Sequence, residues 1–450
     1  MSQVEYSAFL AEKTHLSGKH GFDPVWMPDF LFDFQSNLVE WAIRRGRAAI
    51  FADCGLGKTP MQLAWAENVV RKTGGRVLIL TPLAVSFQTV AEAKKFGIEA
   101  THRRDGVHEK DRIIVVNYER LHRFNSDDFV GVVCDESSIL KCFSGATRQA
   151  ITGFMANTPY RLLCTATAAP NDYIELGTSS EALGILERKH MLAQFFTHDG
   201  GETSKWRLKG HAREHLFWRW MCSWARACRR PSDLGFDDGK FILPPLSVRD
   251  HVVKASTPMP GYLFDMPAVG LDDQRKDLRR SLVERCEMAA QLANAHSDPV
   301  VCWTNLNAEA DLLAKTIRGG VNVQGSDSEE RKEEALSAFS AGLIRVIISK
   351  PSIAGFGLNW QHCAHMTFFP SHSYEQYYQC IRRCWRFGQA RPVVVDMITT
   401  EGQASVLSNL ERKADAAAHM FDRLVSLMNK ELAIRHSASY TKREEVPAWL

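Results

Sequence analysis

The chain has 450 residues, 45% of them hydrophobic and 24% charged, a balance that excludes a disordered or fibrous protein and allows more than one buried core. A net charge of +3 excludes a histone-like polycation, so any polyanion must be held in a local groove. The 11 cysteines lack zinc-type paired spacing, no run of about 18 apolar residues occurs, and the opening MSQVEYSAFLAEKTH lacks the basic-then-apolar order of a secretory signal; reduced thiols, no membrane partner and a cytoplasmic location are expected.

From Phe34 to about Ala169, short apolar runs alternate with helical patterns. Residues 48–51, 77–80, 113–116, 130–134 and 162–165 read as buried strands bounded by charge, Gly or Asp. Residues 172–250 differ, being rich in Trp, Arg and His and closing on FILPPL, which reads as the exit from a first lobe. Trp206, Trp218, Trp220 and Trp224 there suit a helical core, with base stacking as the alternative. Residues 258–269 read as a linker. A second strand series follows at 300–304, 321–324, 345–349, 365–369 and 393–398, and the tail at 404–434 has the pattern of an amphipathic helix docked on the second lobe. The expected fold is α/β: two tandem parallel-sheet lobes, residues 1–250 and 251–450, with a cleft between them.

Three segments carry chemistry. ADCGLGKT, at 52–59, follows a strand and opens a helix. Gly55, Leu56 and Gly57 would curl backbone N–H groups around a phosphate, with Lys58 supplying charge and Thr59 a hydroxyl for Mg²⁺. VVCDESS, at 132–138, ends an apolar strand in two carboxylates; Asp135 suits the metal and Glu136 the orientation of a water. In QCIRRCWRFGQ, at 379–389, Arg383 and Arg386 are three apart, the spacing of one helical face, and both could reach a γ-phosphate across the cleft.

In this order the segments resemble superfamily 2 helicases and translocases, and in detail the Swi/Snf-type ATPases. The variant loop with Ala52 at its first position, Lys141 after the carboxylate box, TATAAPN at 165–171, Arg229 and Arg230 before an LPP run, GFGLN at 355–359, and Gln379, Arg383, Arg386, Gly388 and Gln389 all match that pattern. DESS in place of DEAH and TATA in place of TGTP depart from it. The resemblance implies two RecA-like lobes with ATP and Mg²⁺ between them. It implies that Gln35 reads adenine and that Gly357 and Gln379 contribute to ATP binding. It places nucleic-acid contacts at Thr81, Pro82, Thr165, Thr167, Ser349 and Lys350, with Asn117 and Tyr118 as further contacts. The compact form resembles bacterial or phage-encoded members. The implied activity is ATP-dependent movement on double-stranded DNA, with room for a protein partner that supplies targeting or nuclease activity. An RNA helicase, and an ATP-gated clamp or motor subunit of a defence or anti-defence complex, are the alternatives.

Overall fold

The computed structural model describes residues 20–106, 110–141, 145–169, 172–198, 206–255, 271–355 and 358–431. Asn171, Gly357, the expected linker and the last residues of the expected tail helix lie outside them.

The first lobe contains β1 (Arg47–Ala52), β2 (Val77–Thr81), β3 (Thr101–His102), β4 (Ile113–Asn117), β5 (Gly131–Asp135) and β6 (Tyr160–Cys164). A short antiparallel hairpin, β7 (Phe196–His198) and β8 (Trp206–Leu208), precedes β9 (Ala225–Cys228). Seven of these strands form one parallel sheet in the order β3-β4-β2-β5-β6-β1-β9. Every residue of β2, β4 and β5 is buried, which is why their sequences are unbroken apolar runs rather than alternating ones. Register places Cys164 beside both Asp135 and Ile50, so the turns after β1, β5 and β6 share one sheet edge.

The second lobe is a six-stranded parallel sheet in the order β10-β15-β14-β11-β13-β12, built from β10 (Leu246–Val253), β11 (Val300–Trp303), β12 (Gly320–Val323), β13 (Val346–Ser349), β14 (His365–Phe368) and β15 (Val393–Thr400). Two parallel-sheet lobes are therefore present, as expected, and each strand read from the sequence appears within a few residues of its place.

Three features depart from expectation. β9 lies in the Trp-rich region and completes the first sheet beside β1. Its charged Arg226 hides the strand in sequence; the guanidinium is buried over the Trp41 ring at 4.2 Å and donates to the carbonyl of Ala225 at 3.0 Å. β10 also escapes an apolar pattern, because it is an edge strand with Val248 and Val252 exposed. It pairs with β15 from Leu246↔Val393 to Val253↔Thr400, so a division at 250/251 falls inside it. Finally, the helix Ala404–Glu431 does not dock on the second lobe alone. Val406 and Leu410 join that lobe's core, but Met420, Phe421 and Leu424 are buried in the first lobe's core. Trp218, Trp220 and Trp224 are core residues, in line with their helical spacing. Among the described residues no helix is long and apolar enough to cross a membrane.

Candidate active site

β1 ends at Ala52 and the helix Lys58–Thr73 begins five residues after Asp53, leaving a tight turn between them. Gly55 and Gly57 sit at φ +89° and +76°, a region that L side chains rarely adopt. Space is also lacking: a Cβ on Gly57 would stand 2.3 Å from Gln35 Nε2, and one on Gly55 2.8 Å from the Phe387 nitrogen of the other lobe. Lys58 Nζ donates to the Ala52 carbonyl at 3.2 Å. Burial works against its charge, but Cys54, Glu136, Asp135 and Asp53 outweigh it and raise the pKa above the usual lysine value. The helix N-terminus adds its positive dipole end beside this ammonium.

Asp135 ends β5 and Glu136 follows in the left-handed region at φ +52°, unusual for a non-glycine residue. Both are buried. Gln62 Nε2 donates to Asp135 Oδ1 at 2.6 Å, and the Tyr118 hydroxyl donates to the Asp135 carbonyl. Burial, reinforced by the charge of Glu136, pushes the Asp135 carboxyl up to about 7, with Gln62 and Lys58 only partly offsetting it. Thr165, at the end of β6, turns its hydroxyl toward Glu136 Oε2 at 3.4 Å.

The second lobe supplies the arginines. Arg383 lies near the end of the helix Tyr374–Cys384; its Nη1 donates to the Leu358 carbonyl at 3.3 Å and its Nη2 stands 4.0 Å from Cys54 Sγ. Arg386 is not on that helix. The helix stops at Cys384, Trp385 caps it, and Arg386 is carried by the following turn, so the shared helical face expected from spacing is corrected. Its Nη1 also donates to the Leu358 carbonyl, at 3.1 Å. Burial first, and then the charge of Arg383, push the Arg386 guanidinium down to about 10.

These groups converge. Gly55, Gly57, Lys58, Thr59, Asp135 and Glu136 of the first lobe and Arg383 and Arg386 of the second line one cavity of about 380 Å³. Arg383 and Arg386 repel one another, and Lys58 only partly offsets the repulsion between Asp135 and Glu136, so an anion bound together with a divalent cation would relieve both. Gln35 lines the cavity, but its carboxamide is engaged: Nε2 donates to the Leu56 carbonyl at 2.9 Å and Oε1 accepts from Phe32 N at 3.0 Å. Gln379 is buried outside the cavity lining, with no partner for its amide. Of the residues expected to touch nucleic acid, Thr81, Asn117, Thr165, Thr167 and Ser349 are buried. Ser349 donates to the Val323 carbonyl at 3.0 Å, and Thr81 bonds Ser86 at 2.8 Å. Lys350 is half-buried, and Pro82 lines a larger interlobe cavity.

A second grip on the phosphate-loop turn lies outside the expected site residues. Asp53 accepts from its neighbour Cys54 N at 2.6 Å, from the Tyr378 hydroxyl and from Arg382, the last two reaching across from the second lobe. Tyr378 and Arg382 are four apart on one helix, and that spacing was the available signal. Lys141 similarly pairs with Glu375 of the second lobe, which also accepts from Thr167 Oγ1 at 3.5 Å.

Among curated proteins none matches the chain. Residues 284–388, which include β11 to β14 and both cavity arginines, match the family described as the helicase conserved C-terminal domain, so this stretch of the second lobe is similar to that domain.

Proposed function

We propose that the chain is an ATP-hydrolysing nucleic-acid motor, and specifically a translocase on double-stranded DNA. The observation that carries this reading is the single cavity in which the phosphate-loop lysine, the paired carboxylates and two arginines of the helicase-type domain meet. Lys58 and the N-terminus of its helix would hold the β- and γ-phosphates. Thr59 and Asp135 offer the oxygen ligands for Mg²⁺, and the raised pKa of Asp135 marks a carboxylate pair suited to a divalent cation. When bound, the ion would neutralise phosphate charge. Glu136, fixed by its left-handed backbone and by Thr165, would orient the attacking water. Arg383 and Arg386 would stabilise the charge that develops on the transferred group.

Because the arginines come from the other lobe, turnover requires closure, and alternate opening and closing on a duplex would move the protein along it. The preference for duplex DNA rests on the Swi/Snf-like arginine segment. The test compares ATP turnover with duplex DNA, single-stranded DNA and RNA, in the parent and in Lys58→Ala and Glu136→Gln. The expected result is strongest stimulation by duplex DNA, no turnover in Lys58→Ala, and retained nucleotide binding without turnover in Glu136→Gln. Parental turnover in Lys58→Ala removes the phosphate-loop assignment; stronger stimulation by RNA favours the RNA-helicase alternative.

A further inference from the structure

Outside the cavity, the two lobes meet again through a row of charges. The 3-10 helix Tyr118–Arg123 and the loop after β3 are pinned together where Arg120 Nη1 and Arg123 Nη1 donate to the Arg104 carbonyl at 3.5 and 2.9 Å. The Arg104 guanidinium lies over the Phe87 ring at 5.4 Å. Arg104 and Arg120 are thus held side by side before any partner is considered. What they face is the first turn of the helix Glu329–Ser340 in the second lobe. Arg120 Nη2 stands 3.2 Å from both oxygens of Glu329; Arg104 Nη1 stands 3.6 Å from Glu329 and 3.9 Å from Glu330. Glu329 also lines an interlobe cavity of about 910 Å³, with Pro82, Phe87 and Tyr118.

A carboxylate presented with both oxygens to neighbouring guanidinium groups stands where a phosphate would stand, because arginine accepts either anion in the same forked geometry. The first lobe's hydroxyls at Thr81, Thr165 and Thr167 are buried and so less open to a phosphate. Arg104 and Arg120 are partly exposed, at 35% and 22% of their side-chain surface. We propose that Arg104 and Arg120 form a site for the phosphate backbone of nucleic acid, and that Glu329 and Glu330 occupy it while no nucleic acid is bound. This rests on the nucleic-acid-motor reading given above. Partly exposed ion pairs are individually weak, so a polymer that brings several phosphates can displace them. Displacement would free the helix Glu329–Ser340 from the first lobe and so make lobe movement sensitive to nucleic acid.

The experiment measures duplex binding by the full chain over a range of salt concentrations, together with ATP turnover without nucleic acid. Arg104→Ala and Arg120→Ala should each weaken binding and lower the salt slope by about 1. The double variant Glu329→Gln/Glu330→Gln should bind about fivefold more tightly, the change expected when a competitor worth one exposed pair is removed, and should turn over ATP faster without DNA. A gain of affinity cannot come from misfolding. If the glutamate variant binds more weakly, or all the variants bind like the parent with an unchanged salt slope, the inference is overturned while the motor reading stands. A parent that hydrolyses ATP yet binds no duplex, single strand or RNA at any salt overturns both.

Discussion

Asp135 is the residue whose chemistry depends most on what fills the cavity. Its carboxyl stays protonated to about pH 7 in the folded protein, against an ordinary value of 3.8, because it is buried and adjoins Glu136. A carboxyl raised in this way costs stability as pH rises: above the ordinary value the unfolded chain ionises freely and the folded one does not. Between about pH 4 and 7 the nucleotide-free protein should therefore lose stability, and Asp135→Asn should flatten that fall. Denaturant melts at several pH values check this; an equal slope in the variant would contradict it. Arg386 makes a complementary case. Its contact with a bound triphosphate would be made in the closed, reacting state, so Arg386→Ala should reduce turnover by on the order of 10³ while changing ATP affinity much less. Measuring kcat at saturating ATP alongside a binding constant separates this from a nucleic-acid contact, which would instead lower DNA affinity.

At the level of elements, the helix Tyr374–Cys384 straddles the phosphate-loop turn. Arg382 grips Asp53 on one side, and Arg383, the next residue, reaches Cys54 and the cavity on the other. Two adjacent arginines serve different faces because neighbouring residues on a helix point about 100° apart, and the turn after Cys384 carries Arg386 back to the cavity. The long helix Ala404–Glu431 ties the lobes together by a different means. Leu424 is buried in the first lobe's core, and beside it Arg229 covers the Phe421 ring at 5.5 Å and donates to Asp422 at 2.8 Å. Leu424→Ala should cost about 2–5 kcal/mol of first-lobe stability although it lies in the last helix of the described chain. A loss below about 0.5 kcal/mol in a denaturant melt, the size of a typical surface substitution, would show that the helix does not dock there.

For the whole molecule, the question is what holds the two lobes in register. Asp53 and Arg382 are both buried, and their pairing opposes the burial that would otherwise discharge Arg382, leaving its pKa above the usual value. Removing one partner leaves the other's charge buried, which costs about 3–5 kcal/mol, whereas removing both costs far less. Arg382→Gln should therefore open the cleft and weaken nucleotide binding, and Asp53→Asn/Arg382→Gln should recover part of both. Paired spin labels on the two lobes report the distance directly. A double variant no better than the single would mean that the pair does not couple the lobes.

Much of this protein was legible locally. Strands buried on both faces must be continuous apolar runs, so 77–80, 113–116 and 130–134 announced themselves, and a turn that must bring N–H groups onto a phosphate needs Gly55 and Gly57 wherever it occurs. The resemblance to superfamily 2 motifs grouped Lys58, Asp135, Glu136, Arg383 and Arg386, and all five line the same cavity. What only the tertiary structure decided depends on partners remote in sequence. Arg382 meets Asp53 across 329 residues, Lys141 meets Glu375 across 234, and Arg120 meets Glu329 across 209. No periodicity encodes such pairs. Nor could local pattern reveal β9, whose buried arginine is satisfied by carbonyls and a tryptophan, or the polar edge strand β10, or a last helix shared between two cores. Each of these violates the apolar rule for a reason that exists only once the surrounding chain has folded: a charge can be buried where donors, acceptors and rings already wait for it, and an edge can stay polar because one side faces water.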